Sequence, residues 1–311
     1  MVTCQPLDQD DRFAPLLADT GCLDGSSPAP GLVPYSVRSP LWTDGALKER
    51  WISLPVDSVI GYAPDAPWVF PEDAVLIKSF LRGPSDPIET RLMVRRGTGW
   101  RFASYRWEEG SAQLLEDALQ ESVTLADGTL SEWYFPAPDG CLTCHAGGAI
   151  GPIAPQLHTE YDYEGAIRSQ LDEMARVGLF DVSDPTPPEP LAVPADAAAP
   201  MQDRARSWMH GNCSHCHRPG GWAPPEMDMD LRARIPLSAA RICGVPVQFE
   251  TAPEAGAWRL APGDPTDSAL LGRIEAVGIM RMPPVGVSRV DPLGAELLAT
   301  WIDGRQDCAE E

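Results

Sequence analysis

The sequence predicts an α+β chain: an antiparallel, sandwich-like β-rich region first, a helical segment next, and an all-α region at the C-terminal end. Three observations carry this expectation. Short β-like runs between turn residues fill positions 34–135. A stretch with six prolines and three consecutive alanines, from Asp181 to Pro200, reads as an extended linker. Beyond it, apolar residues recur at helical spacing between capping signals.

In order, residues 1–30 are a polar arm punctuated by Pro and Gly, and 31–136 form the β-rich domain. Its runs are Trp51 to Pro55, Val75 to Leu81, Arg91 to Val94 and Trp100 to Trp107, the last alternating aromatic with polar residues. Asp127-Gly128 reads as a tight hairpin between Glu121–Leu125 and Leu130–Phe135, and Gln113 to Leu119 fits a strand or a helical turn. Tyr163 to Leu179 has a helical period, with Ile167, Leu171, Met174, Ala175 and Val177 near one stripe and Gly178 at its end. After the linker, Asp203 to Met209 opens the last region, and Ser268 to Ile279 is a second helix. Asp291-Pro292 starts a final helix, with Asp as N-cap and Pro at N1. Its apolar face is Leu293, Leu297, Leu298 and Trp301, and Gly304 ends it.

The formal charge of −21 argues against nucleic acid or anionic membrane as a partner, because both are bound by neutralising phosphates with Lys and Arg. A solvated acidic surface explains the charge, and steering toward a basic partner is the functional version. No apolar run of about 18 residues exists, so no transmembrane segment is expected.

Two pentapeptides carry the chemistry. Cys141-Leu142-Thr143-Cys144-His145 and Cys213-Ser214-His215-Cys216-His217 both have C-x-x-C-H spacing, which is that of a c-type haem attachment site. Two thiols one short turn apart can add to the two vinyl groups of one haem, and the next histidine reaches the iron. The expected cofactors are therefore two covalently bound haem c groups, with His145 and His217 as proximal iron ligands. The segments 137–181 and 201–308 become a first haem-binding segment and a cytochrome c-like domain. Zinc is disfavoured. Cys4 zinc sites separate their pairs by about 15–20 residues, against 68 here, and zinc does not explain the two histidines.

On the far side of the second haem the candidate is Met282, 65 residues after His217 and stiffened by Pro283-Pro284; Met280 competes. His/Met coordination raises a haem's potential over bis-His coordination. For the first haem the candidates stay open. His210 lies 65 residues after His145, and His158 sits on a Pro-rich loop. His215, Met174, Met201 and Met209 complete the set, and an open coordination position is the remaining case. A faint repeat relates Met174–Phe180 to Ile274–Met280, and in that register no methionine matches Met282.

The remaining cysteines fall into an N-terminal pair, Cys4 and Cys22, and a C-terminal pair, Cys243 and Cys308, expected as disulfides. Haem attachment and disulfides both point to a periplasmic or otherwise exported protein. Met1 to Gln5 lacks the features of a signal peptide, so a leader is inferred to have been removed.

Several segments together resemble a largely uncharacterised family of bacterial dihaem c-type cytochromes. They are Pro34 to Val37, Pro40 to Gly45, Lys48 to Trp51, Glu89 to Leu92, Gly99-Trp100, the first pentapeptide, Arg204 to Arg206, Asn212 to Gly221 and Arg281 to Pro284. Members occur alone or fused to PQQ-dependent sugar-dehydrogenase-like domains. The resemblance spans about Gly31 to Trp301. It implies exported electron transfer with a redox protein partner, a PQQ-type dehydrogenase being the candidate. A dihaem enzyme of peroxidase type and a haem-based redox or gas sensor are the alternatives.

Overall fold

The computed structural model describes residues 4–145, 147–248 and 256–309. Its strands are β1 (Leu23–Asp24), β2 (Ser27–Pro28), β3 (Val33–Pro34), β4 (Leu47–Ser53), β5 (Val75–Gly83) and β6 (Asp86–Arg96). β7 (Gly99–Glu108), β8 (Ser111–Leu114), β9 (Leu119–Thr124), β10 (Leu130–Phe135), β11 (Glu160–Tyr163) and β12 (Ala166–Ser169) follow. The helices are α1 (Leu142–His145), α2 (Ala154–Leu157), α3 (Gln170–Arg176), α4 (Met201–Asn212), α5 (Leu237–Ala240), α6 (Ala269–Glu275) and α7 (Pro292–Asp303). Two compact units result. The first is Met1–Val37, Ala46–Leu142 and Gly148–Pro190; the second is Arg38–Gly45, Thr143–Gly147 and Leu191–Glu311.

The first unit is built on a six-stranded antiparallel sheet in the order β3-β4-β5-β6-β7-β8. The period of two sends Trp51, Val75, Ile77, Leu92, Val94, Ala103 and Tyr105 to one face. There the N-terminal arm covers them with Leu17, Leu23 and Leu32, cross-linked by Cys4–Cys22, and Tyr105 donates its hydroxyl to Ala14 O at 2.8 Å. The opposite face is covered at its two ends. Ile52 and Leu76 pack with Ala154 and Leu157 of α2 and Leu171 and Met174 of α3, while Phe80 packs with Val123, Trp133 and Phe135 of the β9–β10 hairpin. The hairpin closes at Gly128, whose φ of 78° suits the residue without a Cβ.

The Tyr163–Leu179 helix of the sequence reading is much shorter. Glu164 and Gly165 both have positive φ and turn β11 back on β12, so Ile167 lies on a strand with 68% of its surface exposed. Helix α3 starts only after Ser169, whose hydroxyl caps Asp172 N. The local Asp162-Tyr163-Glu164-Gly165 turn, where Gly165 N–H donates to Asp162 at 2.6 Å, outcompetes the helical period.

In the second unit α4 and α7 pack together. Gly294 makes the close approach possible, since a Cβ there would overlap the Trp208 ring. The Trp208 indole donates to Asp291 Oδ2 at 2.7 Å, and Asp291 caps α7 through Leu293 N. Leu297, Leu298, Trp301 and Ile302 are buried, while Leu293 is 38% exposed.

The expectation of a β-sandwich followed by an all-α cytochrome c domain is overturned. The structure is mostly β, organised on the six-stranded antiparallel sheet, with seven helices of four to twelve residues among the described residues. Between α4 and α7 the chain runs largely through turns and single bridges, such as Cys243 with Leu260 and Pro246 with Trp258. Prolines at 224, 225, 236, 246, 262 and 265 remove the N–H groups that helices need. The disulfide Cys243–Cys308, spanning 65 residues, ties this irregular stretch to the segment after α7.

Loop-closure entropy ranks the two bridges, at about 4 kcal/mol for the 65-residue loop and about 3 kcal/mol for the 18-residue loop of Cys4–Cys22. Replacing Cys243 and Cys308 by serine is expected to lower the urea midpoint more than replacing Cys4 and Cys22, measured by circular dichroism.

Candidate functional site

The second pentapeptide emerges from the C-terminal end of α4, and a distant stretch of sequence fixes that end. Residues 38–45, which belong to the same unit, run past it. Ser39 donates its hydroxyl to Ser207 O at 2.8 Å, and Gly211 lies so close to Ser39 that a Cβ would collide with the Ser39 carbonyl. Asn212, immediately before Cys213, donates to Trp208 O at 2.9 Å and accepts from Trp42 N at 2.7 Å. Trp42 in turn donates its indole N–H to Arg289 O at 3.0 Å. The buried Asp44 carboxylate takes Ser288 N, the Ser288 hydroxyl and Arg289 N at 2.7–3.0 Å.

From there the loop folds on itself. Cys213 N and His217 N donate to Met209 O and Cys213 O at 2.8 and 2.9 Å, so the two cysteines and the histidine follow one tight turn. Gly221 closes against the Cys216 carbonyl, where any Cβ would clash. His217 N–H and C=O are both used, the latter by Leu231 N at 2.9 Å, while the ring's Nδ1 is buried without a hydrogen-bond partner among the described residues. Burial, then His215 and Arg259, pulls its pKa down to about 4, so the ring is neutral and able to offer a lone pair. Burial pushes the Cys213 thiol up to about 12.

The first pentapeptide includes the single turn of α1, and its residues Thr143, Cys144 and His145 belong to the second unit with the second pentapeptide. Cys216 Sγ contacts Thr143 O at 3.6 Å, and a Cβ on Gly147 would meet the Arg218 guanidinium. Ligand atoms of Cys144, His215 and Cys216 all lie within 4.8 Å of one another. Within this group Cys144 ionises first: the Cys216 thiol donates to it, and with His215 overcomes burial to hold it down to about 4, while Cys216 is raised. Cys4–Cys22 and Cys243–Cys308 are disulfides, and Cys141, Cys144, Cys213 and Cys216 take no part in these bridges, so the chain separates four cysteines for cross-links from four for other chemistry.

The histidines differ in tautomer. His158 Nδ1 donates to Pro188 O at 2.6 Å, because a carbonyl can only accept. His210 Nδ1 accepts from Ala233 N at 3.3 Å, so its proton sits on Nε2, and burial followed by Arg218 lowers its pKa to about 4. A metal ligand normally binds through Nε2 while Nδ1–H is donated, and His158 has that form. In the Met280–Met282 loop, Arg273 donates to Met280 O at 3.1 Å and lies 3.9 Å from Met280 Sδ, while its own carbonyl accepts Met282 N at 2.9 Å. Arg273 thus engages the Met280 sulfur and holds Met282 by the backbone alone. Met174 and Met209 are fully buried in hydrophobic cores, and Met201 packs against one.

No family model, curated protein or solved structure matches the chain. Sequence reasoning had singled out Pro40 to Gly45 only as part of a resemblance; the roles of Trp42 and Asp44 as clamps on the second pentapeptide have no local pattern to betray them. Asn212 stood next to the motif and was the only available hint.

Asp44→Ala takes the partner from three half-buried donors and is expected to destabilise the second unit by about 2 kcal/mol in urea unfolding. In the chain without thioether bonds, iodoacetamide at pH 6 is expected to label Cys144 well before Cys213. The first is a thiolate above about 4 and the second stays protonated up to about 12; equal labelling by mass spectrometry would contradict this.

Proposed function

We propose that the chain is an exported dihaem c-type cytochrome, passing electrons between a redox protein partner, with a PQQ-type dehydrogenase as candidate donor, and a downstream acceptor. One observation supports this above the rest: two C-x-x-C-H segments, far apart in sequence, have Thr143–His145 and His215–Cys216 side by side within one unit. Adjacent attachment points suit electron exchange inside one protein. The residues also fit the group. Four cysteines are held back from the disulfides, and burial keeps the His217 ring neutral, the form that ligates iron.

In this role Cys141 with Cys144, and Cys213 with Cys216, hold the two haems, and each bound haem supplies a one-electron Fe(III)/Fe(II) couple. His145 and His217 ligate from the proximal side. Met282 would be the distal candidate for the second haem, and the Nδ1 hydrogen bond of His158 to Pro188 O favours it over His210, whose Nδ1 accepts from Ala233 N, for the first. Trp42, Asn212 and Asp44 hold the second attachment loop in position. Val277 and Ile279, 80% and 95% exposed just before Met282, offer an apolar contact for a partner. The two disulfides accord with an oxidising compartment, and no helix among the described residues is long and apolar enough to cross a membrane.

The Cys144–His215–Cys216 group favours one second reading, a mononuclear copper or zinc centre. Pyridine haemochrome analysis and metal analysis of the chain, produced with haem-maturation machinery, separate the two. The expected result is two covalent haems per chain, with no stoichiometric copper or zinc. Met282→Ala is then expected to lower one midpoint potential and open that haem to cyanide, while His210→Gln leaves both haems low-spin by EPR. Metal without haem would replace the proposal by the second reading.

A further inference from the structure

The chain has only two lysines, Lys48 and Lys78, and both stand on the same face of the six-stranded sheet. Pairing is in register across three strands: Arg50 on β4 faces Lys78 on β5, and Lys78 faces Arg91 on β6. Directly opposed like charges destabilise a sheet. In the next row, Lys48 and Phe80 lead to Glu89 and Arg106, so opposite charges do meet there. An aligned triple of cations is therefore a local feature, in a protein with 45 acidic and 24 basic residues.

The nearest acid in register is already spent. Glu89 is fully buried, and its oxygens accept from Arg91 at 2.7 and 2.8 Å, from the Ser104 hydroxyl and from the Trp133 indole at 3.0 Å. Among the described residues neither the Arg50 guanidinium nor the Lys78 ammonium has a hydrogen bond or ion pair. Lys78 Nζ instead stands 4.5 Å from the centroid of Phe80, and Arg91 Cζ stands 4.6 Å from the same centroid. Cation–π contact contributes about 0.5–2 kcal/mol without neutralising charge. The row is half-buried between two apolar clusters, Ile52 and Leu76 on one side and Phe80 with Trp133 on the other. Burial, reinforced by Arg50, Lys48 and Arg91, holds the Lys78 pKa well below its ordinary value. Tyr35, buried beside Arg50 and kept a neutral phenol by a pKa pushed up to about 12, adds a hydroxyl donor.

We propose that Arg50 and Lys78, with Arg91 closing the row, form a binding site for an oxyanion, a carboxylate or a phosphate. The ligand is a dissolved anion, and the site does not rest on the dihaem proposal. A two-lysine chain makes the test direct. Selective 13Cε-lysine labelling of the full, matured chain yields two side-chain resonances, assigned with Lys78→Arg. Sodium phosphate is titrated at constant ionic strength. For a dissolved anion, the Lys78 resonance moves saturably while Lys48 moves less, and Arg50→Gln weakens binding at least tenfold. If phosphate leaves the Lys78 resonance unmoved, or moves Lys48 equally, the site is overturned. A chain that carries no haem would sink the dihaem proposal while leaving the phosphate titration to decide the row.

Discussion

The indole of Trp208, lying against Gly294 and donating to Asp291, sets how α4 and α7 cross. The crossing fixes the axial position of α4, and α4 delivers Cys213 and His217 one turn beyond its end. A larger residue at position 294 would push the helices apart, and the thiols would move with them. The interaction also links packing to folding: the carboxylate that accepts the indole N–H hydrogen bond is the N-cap of the helix it packs against. One side chain sets both the start of α7 and its distance from α4.

From that crossing outward, the second unit relies less on regular structure than on point contacts. Asp44, Trp42 and Asn212 tie three stretches of chain together through neutral and charge-assisted hydrogen bonds, each worth about 1–3 kcal/mol. Such contacts suit a site in which a bulky group must be held by loops. Helices alone would present one face; turns braced from several directions can surround a ligand.

How much of this was legible in the residues depends on the range of the forces involved. The strands around Ile77 and Phe102, the Gly128 hairpin and the Asp291-Pro292 cap are set by nearest neighbours, and their alternation, turn and capping signals stand in the sequence. The bridges Cys4–Cys22 and Cys243–Cys308 followed from pairing by position. The helix expected from Tyr163 failed because an Asp-Tyr-Glu-Gly turn beat the apolar period. The all-α C-terminal domain failed because prolines between Pro224 and Pro265 leave that stretch to bridges and turns. The approach of Cys144 to Cys216, and the reach of Asp44 to Ser288, are long-range contacts that no local pattern encodes. Tautomers belong to the same class: His158 and His210 look alike in sequence, and only their partners distinguish them.

Residues 38–45 leave the first unit between β3 and β4, serve the second, and return. The two units are therefore not beads on a string. No single cut along the chain, not even through the proline-rich stretch before α4, separates one complete unit from the other. A fragment beginning at α4 would lack Trp42 and Asp44, and the second unit can be completed only by a chain that still carries its first fifty residues.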